Sequence, residues 1–357
     1  MNRRKTALMK VALSALHYSG AGGLLSPMTR GVGVIFTLHR VVPGQTAGFS
    51  PNRILELQPE FLDQTIQLVL DRGFDVVSLD EVHARLGEGD FDRPFACFTF
   101  DDGYRDNREH ASPIFRRYGL PMAIYVPTDF PDGKGDMWWL RLEKVLAELD
   151  AIDVKIDGNW CHFDLETTDR KNAAFERIYW WLRRLPVEEH AREFVSELAQ
   201  AHGVEVGGIC RDLIMDWDEI RDLAADPLVT IGAHTRRHLA LAKLTQSEAA
   251  LEIQESVHRL EAELRRPVSH FSFPYGDASS AGEREFNLAR ELGLKTAVTT
   301  RKGLLHERHS GALTGLPRVS LNGDFQAARY VKVMLSGAPF ALMSMAGRMP
   351  IGRREAA

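Results

Sequence analysis

Three short stretches carry the residue types from which hydrolytic sites are built. The first is Phe98-Thr99-Phe100-Asp101-Asp102-Gly103, where two carboxylates follow an apolar run and a glycine comes directly after them. Two adjacent charges ending a buried segment are costly unless a cation or a strong hydrogen-bonding network compensates. Adjacent strand residues point to opposite faces, but Gly103 lets the backbone turn, so both acids can reach one mouth with different partners. The second stretch is His234-Thr235-Arg236-Arg237-His238. Histidines four apart share one face of a helix, and a tight turn converges them equally well. Neutral imidazoles suit zinc, iron, cobalt or nickel, and with an acid from another strand end they complete a two-histidine, one-carboxylate set with open positions. The third stretch, Phe271-Ser272-Phe273-Pro274-Tyr275-Gly276-Asp277, runs into a Pro/Gly turn whose freed N–H groups can face a developing oxyanion. Taken singly, each has a plain alternative: an Asp-Gly turn, surface polarity, an ordinary turn. Their combination is what points to a metal site.

Such a site needs strands that end at it. Short apolar runs rich in β-branched residues predict strands at Val32–Val42, Phe95–Phe100, Met122–Val126, Leu228–Ile231, His270–Phe273 and Thr296–Thr299. They are nearly continuous in hydrophobicity, as expected of parallel strands buried on both faces. Helices are expected between them. Pro59 stands at a first helical position, ahead of the stripe Phe61, Leu62, Ile66, Val69 and Leu70 and the stop at Gly73. Thr245 and Glu248 read as a capping box, and a further helix through Phe286 and Ala289 should stop at Gly293. This alternation predicts βα units around a parallel sheet or barrel. From about Asp129 to Met215 the pattern turns mainly helical and holds five of the six tryptophans, which reads as an insertion between two βα units. Barrel loops take such insertions on the catalytic face, although a helical cap that only adds stability fits as well.

Thr99–Gly103, His234–His238 and Phe273–Gly276, in that order, resemble the motifs of the polysaccharide deacetylase family, the NodB-homology domain of carbohydrate esterase family 4. The resemblance covers roughly residues 32–325, with 130–215 as an insertion outside the core pattern. It implies an α/β fold, a distorted (β/α) barrel, and metal-dependent removal of acetyl groups from N-acetylated sugars. It further implies that Asp102, His234 and His238 hold one divalent ion, zinc first, with iron, cobalt or nickel also fitting. Asp101 would be the general base that deprotonates metal-bound water, and the oxyanion would lie between the metal and the Tyr275 N–H. The cation would lower the water pKa and polarise the acetyl carbonyl.

Two departures stand out. Many family members carry an arginine in the third motif that orients the base, whereas this sequence has Ser272; Arg318, in Leu316-Pro317-Arg318-Val319, is the candidate substitute. Many also supply the general acid from a C-terminal Leu/His motif, and Leu305, His306 and His309 do not match its spacing. Thr37-Leu38-His39-Arg40-Val41 is instead similar to a branch whose first-strand histidine reaches the site, so His39 is the expected acid, with a structural rim histidine as the alternative. Tyr104, Pro274, Trp138 and Trp139 are the candidate sugar-facing groups; aromatic rings offer apolar area with a polar edge, although tryptophans of an insertion more often form its own core.

The 357 residues are 44% hydrophobic and 26% charged with a net charge of −5, which excludes disorder and gives no pull towards nucleic acid. Cys97, Cys161 and Cys210 are too few and scattered for a disulfide framework and fit a reducing compartment. Residues 1–30 open with Arg3, Arg4 and Lys5 ahead of an apolar stretch that Lys10 interrupts, so an amphipathic helix is expected rather than a secretory signal. Residues 31–325 would form the catalytic domain. Residues 326–357 read as a solvated tail, whose Leu335, Phe340, Leu342 and Met343 among Arg348, Arg353 and Arg354 could also rest on an anionic membrane. The expected setting is the cytoplasm or the inner membrane face. The expected substrate is an N-acetylated oligosaccharide, or a polysaccharide or lipid-linked precursor. Hydrolysis of another C–N bond, as in a small or cyclic amide, and carbohydrate binding without turnover are the alternatives.

Overall fold

Seven parallel strands separated by helices close on themselves in the computed structural model, which describes residues 3–44 and 48–348. They are β1 (Gly33–Leu38), β2 (Phe95–Phe100), β3 (Met122–Val126), β4 (Val229–Ala233), β5 (His270–Ser272), β6 (Thr296–Lys302) and β7 (Leu316–Ser320). Going round the barrel the order is β1, β7, β6, β5, β4, β3, β2, and β2 returns to β1 in continuous register from Gly33↔Phe95 to Leu38↔Phe100. The distortion is at β2. One of its edges is shared, because the short strand Asp75–Val76 pairs with Phe95 and Ala96 while β3 pairs only with Thr99 and Phe100.

The strands form because their side chains are apolar on both faces. Ile35, Cys97, Ala123, Tyr125, Val298 and Leu316 pack on one another inside the barrel. The alternate residues Val34, Phe36, Phe98, Phe100 and Ile124 belong to the larger core beneath the helices. The helices Pro59–Asp71, Gln246–Leu264 and Glu283–Glu291 supply that layer, and the Thr245/Glu248 capping box is present.

Several boundaries differ from expectation. The first strand stops at Leu38, and Arg40–Val41 leaves the barrel to pair with Glu56–Leu57, so His39 stands at the break. Strand β4 runs on to Ala233, and β7 is an additional strand outside the expected set. The insertion contains, besides helices Trp138–Glu148, Thr168–Arg184 and Glu188–Ala201, an antiparallel hairpin of Ala151–Ile156 and Asn159–Asp164. It has its own core, in which Trp138, Leu142, Ile178 and Val195 are buried. The expected N-terminal helix spans Arg3–Tyr18. The C-terminal segment is less solvated than expected: Val331, Val333 and Leu335 of the helix Ala328–Leu335 are buried, and exposure begins further along, at Leu342 and Met343 of the helix Ala338–Arg348. Arg353 and Arg354 lie outside the described residues. Among the described residues no helix is long and apolar enough to cross a membrane.

Candidate metal and hydrolytic site

The carboxyl ends of β2, β4 and β5 each run into a tight turn, and these three turns meet. Among the described residues, four of the six non-glycine positions with positive φ fall in them: Asp102 at 75°, Thr235 at 61°, His238 at 60° and Tyr275 at 59°. Such conformations cost of order 1–3 kcal/mol each and persist where the surroundings impose them. Here they aim side chains that regular strands would scatter. The segment His234–His238 is a turn rather than a helix, closed by a hydrogen bond from the His238 N–H to Thr235 Oγ1 at 2.9 Å. Buried Glu252, from the helix behind, accepts from the Arg236 and Arg237 N–H groups and from Arg237 Nε, which fixes the turn.

Asp102, His234 and His238 are brought together with one potential ligand atom of each within 4.8 Å of the others, and all three are buried. Asp102 Oδ1 lies 3.6 Å from His234 Nε2 and 3.3 Å from His238 Nε2. The Ser272 carbonyl accepts from His234 Nδ1 at 2.6 Å, which orients the ring so that its Nε2 faces the carboxylate. Burial pushes His238 below the usual histidine value, although Asp102 pulls the other way. Burial opposes ionisation of Asp102, yet the two imidazoles outweigh it and hold the carboxyl below the usual range. Asp102 Oδ1 nevertheless has no hydrogen-bond partner. A buried carboxylate oxygen facing two imidazole nitrogens, with no hydrogen bond to either, is an arrangement that a divalent cation completes. The donor set therefore fits the expected ion.

Asp101 faces a different partner. Arg318 grips it with Nη1 at 2.8 Å from Oδ1 and Nη2 at 2.6 Å from Oδ2. The guanidinium also donates from Nε to the Thr299 carbonyl, from Nη1 to Thr99 Oγ1 and from Nη2 to Ser272 Oγ, so all five of its N–H groups are used. Burial raises the Asp101 pKa, but the charge of Arg318 and its hydrogen bonds more than reverse this, and the carboxylate stays ionised. Arg318 thus occupies the place left open by Ser272. His39 is half-buried at the end of β1 and helps to hold both Asp101 and Asp102 ionised. Its carbonyl is fixed by Asn107 Nδ2 at 2.7 Å.

The insertion reaches the third motif through residues that carry no recognisable local pattern. Glu188 accepts from the Tyr275 hydroxyl at 2.8 Å and from the Ala240 N–H at 2.9 Å. The Arg183 guanidinium stacks 3.6 Å from the Tyr275 ring centre and donates to Asp277 and Ser280. Trp138 Nε1 donates to the Tyr275 hydroxyl at 3.0 Å. The Tyr275 side chain is thereby tied to the insertion.

The candidate sugar-facing aromatics are placed differently from expectation. Tyr104 is wholly enclosed, Trp138 and Trp139 are 1% and 5% exposed, and Pro274 is buried. No ring face of Tyr104, Trp138 or Trp139 is open for a pyranose. Trp139 and Tyr275 pack instead around His238, with ring centroids 5.1 and 4.9 Å away. These rings form the wall of the site because the insertion core continues down to His238.

A family model described as polysaccharide deacetylase matches residues 165–297, a span that contains His234, His238 and Phe273–Gly276 but begins after Asp101 and Asp102. That stretch of the chain is thus similar to the polysaccharide deacetylase family. Solved structures similar to the chain include the deacetylase PplD of Streptococcus pyogenes in complex with acetate, at 15% identity and TM-score 0.54, covering 84% of this chain and 97% of that one. IcaB from Ammonifex degensii gives 16% identity and TM-score 0.52, with 85% and 96% covered. A de-N-acetylase from Aggregatibacter actinomycetemcomitans gives 12% identity and TM-score 0.53, with 85% and 99% covered. No curated protein sequence matches the chain. At these identities the likeness establishes the fold, and the barrel expected from the three motifs is the one found.

Proposed function

We propose that this chain is a metal-dependent hydrolase that removes N-acetyl groups from an N-acetylated saccharide. The observation that carries the reading is an ionised carboxylate, Asp101, clamped by Arg318 beside the buried Asp102–His234–His238 set. The similar Aggregatibacter protein is a de-N-acetylase, and the Streptococcus deacetylase was solved with acetate, the acid that such a reaction releases. A divalent ion held by Asp102, His234 and His238 would lower the pKa of water and polarise the acetyl carbonyl. Asp101 accepts a proton from the attacking water, and Arg318 keeps the base ionised and aimed. The Tyr275 N–H stabilises the oxyanion formed as the water oxygen adds to the carbonyl carbon. His39 protonates the sugar nitrogen as the C–N bond breaks, which gives acetate and a free amine.

The test is acetate release from N-acetylglucosamine oligomers by metal-reconstituted wild type and Asp101→Asn at equal metal occupancy. Turnover by the wild type alone supports the proposal; no release from either protein with a filled site overturns the chito-oligosaccharide assignment. One observation favours a second reading, hydrolysis of a small or cyclic amide by the same residues: the walls at Tyr104, Phe130 and Trp139 are buried rings rather than an open aromatic groove. Ammonia or carboxylate release from such amides in the same assay distinguishes it.

A further inference from the structure

The exposed apolar side chains of this molecule are not scattered. Of fourteen large ones among the described residues, nine lie on three helices at the two ends of the chain. The helix Arg3–Tyr18 is fixed to the body by its inner face, where Leu13 packs with Phe325, Tyr330 and Val333. Its outer face presents Leu8, Val11, Ala15 and Tyr18 at helical spacing, all exposed. A surface helix ordinarily turns polar residues outward, whereas this one is apolar on both sides and its only formal charges are Arg3, Arg4, Lys5 and Lys10. The helix Ala21–Thr29 adds Leu24 and Met28, at 82% and 86% exposed. The helix Ala338–Arg348 adds Leu342, Met343 and Met345. The three helices touch in succession. At the second junction Thr29 Oγ1 donates to the Ser336 carbonyl at 2.6 Å, and a Cβ on Gly337 would come within 1.8 Å of the Thr29 carbonyl oxygen. The helices that carry these exposed apolar side chains are therefore contiguous on the body.

Charge is segregated with it. Residues 1–30 and 325–357 hold ten of the 44 lysines and arginines and one of the 49 acids, a net +9 in a chain whose total is −5, so the remainder carries −14. A second copy of the chain would set the cations of this face, Lys5, Lys10 and Arg30 among them, against their own counterparts. We infer that this terminal face is a docking surface for an anionic lipid bilayer. Leu8, Val11, Leu24 and Met28 enter the acyl boundary while Lys5, Lys10 and Arg30 meet the lipid phosphates, as interfacial helices do. The inference stands apart from the hydrolytic site and does not rest on the proposed activity.

The experiment is flotation of the purified full chain with vesicles of phosphatidylcholine, alone or with about 30% phosphatidylglycerol. The expected result is binding to the anionic vesicles only, weakened by salt. Each basic residue near such a surface contributes about fivefold, so K5Q/R30Q should lower partitioning on the order of twentyfold. L24E/M28E should lower it at least as far. These side chains are exposed, so the melting temperatures of both variants should equal that of the wild type. Equal binding to neutral vesicles, no binding to either, or binding indifferent to both variants overturns the inference. Concentration-dependent dimers without vesicle binding, seen by analytical ultracentrifugation, also overturn it, in favour of a second copy.

Discussion

Arg318 and Asp101 should behave as one unit, and a double-mutant cycle measures this. The pair is almost wholly buried, joined by two hydrogen bonds of 2.8 and 2.6 Å, and the three remaining guanidinium N–H groups are satisfied by Thr299, Thr99 and Ser272. Removing one partner of such a pair leaves an uncompensated buried charge and costs about 3–5 kcal/mol. Arg318→Met strands a carboxylate and Asp101→Asn strands a guanidinium, so each single variant should lose that amount. If the two effects were independent, the double variant would lose about 6–10 kcal/mol, which matches or exceeds the whole stability of many domains. With neither charge left, R318M/D101N should instead cost no more than either single variant, a coupling of about 3 kcal/mol or more. The assay is urea unfolding followed by tryptophan fluorescence at pH 7, with chelator present so that metal affinity does not enter. Additivity within about 0.5 kcal/mol would refute the claim that Arg318 compensates Asp101. Acetate release by Arg318→Lys separates charge from geometry. Lysine keeps the charge but cannot form the two-pronged grip, so turnover should fall while metal stoichiometry is unchanged.

Two further outcomes follow from the same geometry. His270 is 3% exposed and burial pushes its pKa down to about 4, from an ordinary 6.5. Between those values the unfolded chain takes up a proton that the folded chain does not, so stability is complete above pH 6.5 and declines as pH falls towards 4, by roughly 3 kcal/mol from this group. His270→Gln should flatten the dependence of urea midpoints over that window, and an unchanged slope would refute the assignment. Gly276 sits at φ +61°, and a Cβ there would approach Thr300 N to 2.5 Å. Gly276→Ala should therefore cost about 2 kcal/mol or more and move the Tyr275 N–H, which lowers the melting temperature and acetate release together; a variant that melts like the wild type would show that the turn relaxes freely.

What the sequence could reveal of this site depended on how local each cause is. Strands β2 and β3 have the expected bounds because both faces of each are apolar, and the three motifs are legible because each is a strand end followed by a turn residue. The hairpin of the insertion has a legible pattern too, although a mainly helical segment is expected there. Ile152, Val154 and Ile156 alternate with polar residues, and Asp157-Gly158 is the residue pair that a two-residue turn with positive φ at both positions selects. The surrounding helical periodicity outweighed a pattern only six residues long. Strand β7 was hidden for a different reason, since Leu316-Pro317-Arg318-Val319-Ser320 contains a proline without a donor and a charge inside a buried strand. Glu188 and Arg183 had no signal at all, because their roles exist only once the insertion has folded over Tyr275.

The charge that obscured β7 also explains how the barrel tolerates Ser272 where an arginine is expected. Within β2, Cys97 lies inside the barrel, and the period of two carries Thr99 and Asp101 to the same side. Within β7, Leu316 lies inside, and the same period carries Arg318 inward at the level of Asp101. An inward position on β5 leads to the same place, where Ser272 Oγ is 3.0 Å from Arg318 Nη2. One guanidinium fills the space, and a second would lie against it with both oxygens of Asp101 already taken. The requirement at this barrel mouth is therefore a single buried cation against Asp101, and the strand that supplies it is free to vary provided the facing position is small.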